Sequence, residues 1–257
     1  MRKQNSMANY KILLQYEGTR YQGWQKQETS ELTIQGKLEA VLTKMAGETV
    51  EVQGSGRTDA GVHAYGQVAS FHLNTNRTPG QIQEYMNQYL PEDIGVIAIR
   101  KVPERFHARL HAKGKIYQYR IINSTTPHVF DRRYCYVFPE KLDIEAMKQA
   151  ASYLLGTHDF KAFTSTKKGK KSTVRTIWSI EIEKIKDEIK ITYHGDGFLY
   201  HMIRIVTGTL LEVGTGVRTS ASMKECMESL SRDQAGPLAP ALGLSLMEVF
   251  YEENEQI

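Results

Sequence analysis

Cysteine and long apolar runs are both scarce in this chain of 257 residues. Its 2 cysteines, Cys135 and Cys226, form neither a CxxC pair nor a zinc-ligand spacing, so we expect free thiols and a reducing compartment. The apolar run at 12–14 is too short for a secretory leader. The longest apolar stretch, at 198–213, contains a histidine and an arginine and is not a membrane span. We expect a cytoplasmic protein with no membrane segment and no metal.

Positive charge is in slight excess over the whole chain and is unevenly distributed along it. The formal net charge is +4, which permits a nucleic-acid partner without requiring one. Positive charge is concentrated in two segments, 100–120 and 161–175. These two segments are therefore the candidates for contact with a polyanion.

Hydrophobic periodicity predicts the order β-α-β-β-α-β in a first half that covers 9–105. The predicted strands cover 10–16, 49–54, 66–73 and 94–101. The two predicted helices run from an N-cap at Thr33 to Gly47 and over 79–89. Residues 1–8 are polar, and we expect a flexible extension there.

The same order is predicted again in a second half that covers 106–257. The predicted strands are 115–123, 174–184, 188–194 and 244–251, with helices after the N-caps Asp143 and Asp196, and a short extra helix at 220–230. The prediction is an α+β fold of two ferredoxin-like βαββαβ halves side by side. We expect them to form one central, mainly antiparallel sheet with a cleft at the junction, about 103–114, and a flexible lysine-rich loop at 161–171.

The loop at 54–64 has an unusual composition, because three glycines bracket the single carboxylate of Asp59 and Arg57 lies two residues before it. It lies between two predicted strands, where function is often found. A dinucleotide-binding loop is excluded because its third glycine would fall at Asp59 and no helix follows. A zinc site with His63 lacks a third ligand nearby. An ordinary turn with a surface ion pair between Arg57 and Asp59 remains open.

Residues 56–64 of this loop, Gly-Arg-Thr-Asp-Ala-Gly-Val-His-Ala, resemble the signature of the tRNA pseudouridine synthase A (TruA) family. Further similar motifs are Tyr-Gln-Gly-Trp-Gln at 21–25, Phe-His-Ala-Arg at 106–109, Tyr-Gln-Tyr at 117–119, His-Met-Ile-Arg at 201–204 and Ala-Pro-Ala-Leu-Gly-Leu at 239–244. The resemblance implies a cofactor-free isomerase that acts as a homodimer. Its substrate would be tRNA uridines in the anticodon stem-loop, at about positions 38–40, with the base flipped out of its stack.

The resemblance also implies roles for four residues. Asp59 would be catalytic, and a neighbouring cation such as Arg57 favours its ionised form. Arg57 would take the place of the flipped nucleotide and hold its phosphate, Tyr117 would pack on the target uracil, and Arg204 would pair with Asp59. The alternatives that stay open are a structural ion pair for Arg57, a core position for Tyr117 and a helix-surface position for Arg204.

Further basic residues are expected to contact RNA phosphates without reading sequence. They are Arg105, His107, Arg109, Lys167, Lys168, Lys170 and Lys171. The lysine-rich loop is equally open to being a solvated loop that binds nothing. Rival functions are a paralogue acting on other tRNA positions or another RNA, and a non-catalytic RNA-binding protein. A metal-dependent nuclease lacks the clustered carboxylates it would need.

Overall fold

The computed structural model describes residues 6–166 and 172–255. The chain divides into two compact units, the first running up to Lys113 and resuming at Leu246, the second covering Gly114–Ser245. The predicted boundary at 105/106 therefore lies eight residues too early, and the end of the chain belongs with the first unit. In the described part of the chain, no helix is long and apolar enough to cross a membrane.

The first unit contains the predicted order of strands and helices. Its elements are β1 (Ser6–Tyr16), α1 (Ile34–Ala46), β2 (Gln53–Gly54), β3 (His63–Thr75), α2 (Pro79–Tyr89) and β4 (Ile94–Val102). The central strand β1 pairs antiparallel with β3 on one side and with β4 on the other. Because strand side chains alternate between faces, β1 directs Tyr10, Ile12 and Leu14 into the core, where all three are fully buried.

Local sequence signals explain where both helices of the first unit begin and end. Thr33 caps α1 by accepting a hydrogen bond from the Gly36 amide, and Gly47 ends it in a left-handed conformation with φ 75°. At α2, Thr78 and Gln81 form a reciprocal capping box, with Pro79 in the first turn. Both helices were predicted, and the structure confirms them.

Two strand predictions in the first unit need correction. Residues 6–8 are not a loose extension, because they pair in β1 with residues 73–75 of β3, while residues 1–5 lie outside the described residues. The strand predicted at 49–54 is reduced to Gln53–Gly54, which pairs with Ser70 and Ala69 of β3. Residues 49–52 lie between α1 and this short strand, and the loop around Asp59 follows the strand.

The second half of the chain has the predicted order of elements with two additional short strands. Its elements are β5 (Gly114–Ile122), β6 (Tyr136–Val137), α3 (Ile144–Ser152), β7 (Gly156–Asp159), β8 (Val174–Ile185), β9 (Glu188–Gly195), α4 (Met202–Gly214) and α5 (Ser222–Ser229). Its strands follow the order β5-β9-β8-β7, antiparallel throughout, and β6 adds to β5 in parallel. The last strand of the chain is β10 (Leu244–Phe250).

The start of α4 differs from the sequence prediction. Asp196 does not cap a helix, because its carboxylate accepts a hydrogen bond from the amide of Thr176 at 3.0 Å. The helix instead begins at Met202, after His201, which has a left-handed conformation with φ 64°. His201 therefore precedes the helix that carries Arg204.

The α+β class with mainly antiparallel strands is confirmed by these elements and pairings. The two extra strands and the reassigned end of the chain change the details of the second half, while the βαββαβ order of the first half is as predicted. The cleft expected at 103–114 stays a prediction.

Candidate active site

The loop around Asp59 joins β2 to β3 and is a tight, ordered turn. The amide of Val62 donates to the carbonyl oxygen of Asp59 at 3.1 Å, which closes the turn directly after the carboxylate. Gly61 has φ 80°, a conformation that residues with a side chain rarely adopt. Asp59 is half-buried and lies just before the start of the long strand β3.

The segment at 21–24 holds the outer side of this loop. The amide of Trp24 donates to the carbonyl oxygen of Thr58 at 3.0 Å, and the amide of Gly61 donates to the carbonyl oxygen of Tyr21 at 3.2 Å. Gly23 allows this approach, because a Cβ atom there would lie 2.7 Å from the carbonyl oxygen of Thr58. Main-chain hydrogen bonds therefore fix the residues on both sides of Asp59.

Buried polar side chains hold the inner side of the loop. The hydroxyls of Thr58 and Tyr16 are hydrogen-bonded at 2.8 Å, and burial raises the pKa of Tyr16 to about 12. Gln67 donates to the carbonyl oxygen of Gly56 at 3.1 Å and accepts from the hydroxyl of Ser55 at 2.6 Å. Because buried polar groups are costly when unpaired, these contacts define one conformation of the loop.

Arg57 and His63 have different surroundings in the same loop. The exposed guanidinium of Arg57 donates through Nε to Oε1 of Gln25 at 2.8 Å. His63 is buried, and its Nδ1 accepts a hydrogen bond from the amide of Gly18 at 2.9 Å. In the described residues, no group of three or more His, Cys, Asp or Glu side chains is placed to hold a metal ion.

Tyr117 and Tyr119 lie on one face of β5 in the second unit. Tyr117 is 7% exposed and packs edge-to-face against Phe198, with ring centroids 5.5 Å apart. Tyr119 is fully buried and donates its hydroxyl proton to the carbonyl oxygen of Pro240 at 2.7 Å. Tyr119 is therefore a packing residue, and the role of Tyr117 toward uracil stays a prediction.

Arg204 lies in the first turn of α4 and is half-buried. Its Nε donates to the carbonyl oxygen of Ala239 at 2.8 Å, and the amide of Ala239 donates to the carbonyl oxygen of Arg204 at 3.1 Å. This pair of contacts orients the guanidinium within the second unit, which argues against a side chain that simply extends along the helix surface. Its expected pairing with Asp59 stays a prediction.

The three basic candidates at 105–109 lie in an irregular segment of the first unit. Arg105 and Arg109 are exposed, whereas His107 is half-buried and its Nδ1 accepts from the amide of Arg109 at 3.0 Å. The nearby His111 contacts the carboxylate of Glu255 at 2.8 Å. The segment can present Arg105 and Arg109 to a polyanion, while both histidines have contacts within the protein. Lys167, Lys168, Lys170 and Lys171 lie outside the described residues.

Asn9, which was not predicted to have a role, fixes this segment. Its buried amide donates to the carbonyl oxygens of Pro103, Glu104 and Phe106, at 3.2, 3.2 and 2.8 Å. The available signal was a polar residue in a strand whose residues are mostly apolar. The role of Gln25 beside Arg57 was also missed, although Gln25 ends one of the motifs noted in the sequence.

Comparison with known proteins gives consistent matches over most of the chain. The family model described as tRNA pseudouridine synthase matches residues 12–110 and 150–252. A protein of Bacillus sp. (strain KSM-64) named tRNA pseudouridine synthase A is 48% identical over 240 residues, 93% of this chain and 98% of that protein. A protein of Clostridium tetani (strain Massachusetts / E88) named tRNA pseudouridine synthase A 1 is 48% identical over 245 residues, 95% of this chain and 100% of that protein.

Among solved structures, a chain from the crystal structure of a Cbf5-Nop10-Gar1 complex is similar at 13% sequence identity, with a TM-score of 0.38. The likeness covers 96% of this chain and 52% of that one. A likeness at this level does not bear on the site.

Proposed function

Because the chain belongs to the tRNA pseudouridine synthase family and is an isomerase that makes pseudouridine, we propose that Asp59 is its catalytic residue. The observation that carries this proposal is the construction of the Asp59 loop. Main-chain hydrogen bonds from residues 21–24 and hydrogen bonds of buried polar side chains hold the loop, while Asp59 itself is only half-buried. An ordinary surface turn needs no such support.

The reaction breaks the N1–C1′ bond of uridine, turns the uracil and joins C5 to C1′. The C5 hydrogen leaves as a proton and N1 gains one, so no electrons are exchanged and no co-reactant is consumed. A fixed carboxylate can act as the nucleophile or take the C5 proton. Holding it in one position before the substrate arrives removes part of the entropic barrier. We propose that Asp59 performs one or both of these steps.

Arg57 is proposed to hold the phosphate of the flipped nucleotide. A uridine in a stem cannot reach a protein carboxylate until its base leaves the stack, and a planar guanidinium can both pair with phosphate and stack on bases. Arg57 is exposed and two residues from Asp59, so a phosphate at Arg57 places its nucleotide beside the carboxylate. Tyr117 and Arg204 are proposed to contact the uracil ring and the Asp59 carboxylate.

The proposed substrate is the anticodon stem-loop of tRNA, at about positions 38–40, where the flipped base is read by contacts to its edge and face. The sequence resemblance supports these positions, and the relatives from Bacillus sp. and Clostridium tetani are named for tRNA. We also propose a homodimer that works in the cytoplasm, with one tRNA contacting both subunits. A paralogue that modifies other tRNA positions is the second candidate.

The test is a map of pseudouridine on an unmodified tRNA transcript after incubation with the purified protein. Carbodiimide-dependent reverse-transcription stops are expected only on the 3′ side of the anticodon arm. Stops at other positions would show that the protein makes pseudouridine but acts as the paralogue with other target positions. Product formation from a transcript whose anticodon-arm uridines are replaced by cytidines would contradict the proposed positions directly.

A further inference from the structure

We propose that Gln25 and Gln35 are positioning residues for Arg57, which they connect to the buried carboxylate of Glu39. The proposal rests on the role proposed for Arg57 and extends it to residues outside the loop. The chain of hydrogen bonds starts at Nε of Arg57, which donates to Oε1 of Gln25 at 2.8 Å. The other end of the Gln25 amide, Nε2, donates to Oε1 of Gln35 at 2.9 Å.

The chain continues into the interior of the first unit. Nε2 of Gln35 donates to Oε1 of Glu39 at 3.0 Å. The Glu39 side chain is 9% exposed, and its second oxygen accepts from Nζ of Lys26 at 3.0 Å. Four side chains from three separate segments therefore form one connected path from the loop surface to α1.

Backbone groups set the direction of this chain. Oε1 of Gln35 accepts from the amide of Lys26 at 2.9 Å, and its Nε2 donates to the carbonyl oxygen of Val52 at 3.0 Å. A main-chain amide only donates and a main-chain carbonyl only accepts, so the Gln35 amide has one possible orientation. Gln25 must then turn Nε2 toward Gln35, which leaves its oxygen facing Arg57.

The carboxylate at the inner end is fixed in the same way. Oε1 of Glu39 accepts from the amide of Val52 at 3.1 Å, which lies just before β2. The start of α1 is bound to the segment that holds the Asp59 loop, because the amide of Gln35 donates to the carbonyl oxygen of Trp24 at 3.0 Å. The path thus links the orientation of Arg57 to the same segment that fixes Asp59.

The chemical consequence is preorganisation of an exposed arginine. A long side chain at a surface samples many rotamers, and that freedom is given up when it grips a phosphate. The contact with Gln25 uses only Nε, so the two terminal nitrogens of the exposed Arg57 side chain can bind phosphate in a bidentate manner. Gln25 and Gln35 would therefore raise the rate of base flipping without touching the reacting atoms.

Three variants separate a connected path from a single contact. Gln25→Leu removes both bonds at an exposed position, and Gln35→Leu removes the link to Glu39. Gln25→Glu keeps an acceptor for Arg57 but places a carboxylate oxygen against Oε1 of Gln35, which cannot turn. The matched control is Gln83→Leu, since Gln83 joins α2 to the carbonyls of Val96 and Ile97 and has no part in the path.

The first readout needs no activity. In the RNA-free full chain, the Nε–H of Arg57 is observed by nitrogen-15 NMR, with assignment by the absence of its signal in Arg57→Leu. The wild type and Gln83→Leu are expected to show an ordered Nε–H with slowed hydrogen exchange. All three test variants are expected to lose that order. An unchanged Arg57 signal in Gln35→Leu or in Gln25→Glu would overturn the proposal, because the path would then end at Gln25.

The second readout is single-turnover formation of pseudouridine on tRNA. Gln25→Leu and Gln25→Glu are expected to lose roughly 5- to 20-fold in rate, and neither should add to the loss in Arg57→Leu, because they act through it. Wild-type turnover in Gln25→Glu, or in Arg57→Leu, would overturn the proposal. Turnover that survives removal of the Asp59 carboxylate would instead contradict the proposed function and leave the NMR result to decide the path.

Discussion

The buried polar residues around Asp59 distinguish this loop from ordinary turns that contain Asp and Gly. Ser55, Thr58 and Gln67 are buried, and each is hydrogen-bonded to another loop or strand residue. A polar side chain buried without such a partner would cost roughly 1–3 kcal/mol. The cluster therefore favours one loop conformation over the alternatives that the glycines would otherwise allow.

Only part of this arrangement could be predicted from the sequence. Gly61 and the strand patterns indicated a tight turn, and the motif at 21–25 indicated a second important segment. The bond between Arg57 and Gln25 could not be predicted, because it joins residues 32 positions apart through side chains with several rotamers. Spacing along the chain carries no information on such a contact, whereas the fold fixes it.

Lys11 is a second residue whose environment departs from its residue type. It lies in β1 with a fully buried side chain, its ammonium 3.6 Å from the ring centroid of Tyr251 and hydrogen-bonded to the carbonyl oxygen of Glu255. Burial, together with the smaller effect of the nearby charge of Arg100, lowers the pKa of Lys11 from 10.5 to about 8, while Glu255 opposes the shift. Below about pH 8, the charged form of Lys11 therefore lowers the free energy of unfolding of the protein.

This cost predicts a pH dependence of stability. Between about pH 8 and pH 10.5 the unfolded chain keeps a proton on Lys11 that the folded protein has released, so the free energy of unfolding rises with pH. Lys11→Met should flatten that rise, by on the order of 1–3 kcal/mol across the window. Urea denaturation at about pH 7.5 and about pH 9.5 measures it. Lys101→Met, at an exposed position, is the control and should keep the wild-type rise. If the free energy of unfolding rose equally with pH in wild type and in Lys11→Met, the lowered pKa of Lys11 would be contradicted.

At the scale of elements, the segment at 103–113 is the clearest case of irregular chain fixed by side chains. Asn9 binds three of its carbonyl oxygens, the hydroxyl of Ser70 accepts from the amide of Ala108, and the hydroxyl of Tyr251 donates to the carbonyl of Ala108 at 2.6 Å. The exposed side chains of Arg105 and Arg109 therefore extend from an ordered segment. That order lowers the entropy cost of binding a polyanion.

Removing the main support should release this segment. Asn9→Leu deletes three hydrogen bonds and is expected to speed tryptic cleavage after Arg105 and Arg109 by roughly tenfold, because local opening becomes easier. Limited proteolysis with mass spectrometry of the first cuts measures the change. Gln83→Leu, in α2 of the same unit, serves as the control. Equal cleavage rates in wild type and Asn9→Leu would show that Asn9 does not hold the segment.

Prediction of the elements succeeded where local signals agree. The helix α2 was predicted over its full length because Thr78, Pro79 and Gln81 form a complete start signal. The start of α4 was wrong because Asp196 has the residue type of a cap while its carboxylate binds a strand amide. The short strands β6 and β7 were missed, since two to four residues are too few to show an alternating pattern.

At the scale of the whole molecule, the assignment of the chain's end to the first unit was not visible in the sequence. The amide of Lys113 donates to the carbonyl of Phe250 at 2.8 Å, and His111 contacts Glu255. These residues are more than 130 positions apart in each pair, and pairing at such distance depends on the finished fold. The predicted boundary therefore followed the repeat of element order and misplaced the last strand.

The salt dependence of tRNA binding measures how many positive charges of the whole molecule contact phosphates. Replacement of the four lysines of the lysine-rich loop by alanine is expected to weaken binding and flatten its salt dependence. The four are Lys167, Lys168, Lys170 and Lys171. For each lysine that neutralises a phosphate, its removal should lower the slope of log affinity against log salt by about 0.7–0.9. Filter binding over a salt series measures the slope. An unchanged slope would show that these lysines do not contact tRNA phosphates.

The catalytic role of Asp59 is the central claim, and one measurement tests it most directly. Asp59→Asn keeps the size and most hydrogen-bonding capacity of the side chain and removes its charge, while Asp187→Asn makes the same change in the exposed β8–β9 turn. Single-turnover pseudouridine formation is measured for both beside wild type, together with tRNA affinity. We expect no product from Asp59→Asn with affinity within about threefold of wild type, and wild-type rates from Asp187→Asn. Turnover by Asp59→Asn at the wild-type rate would contradict the claim.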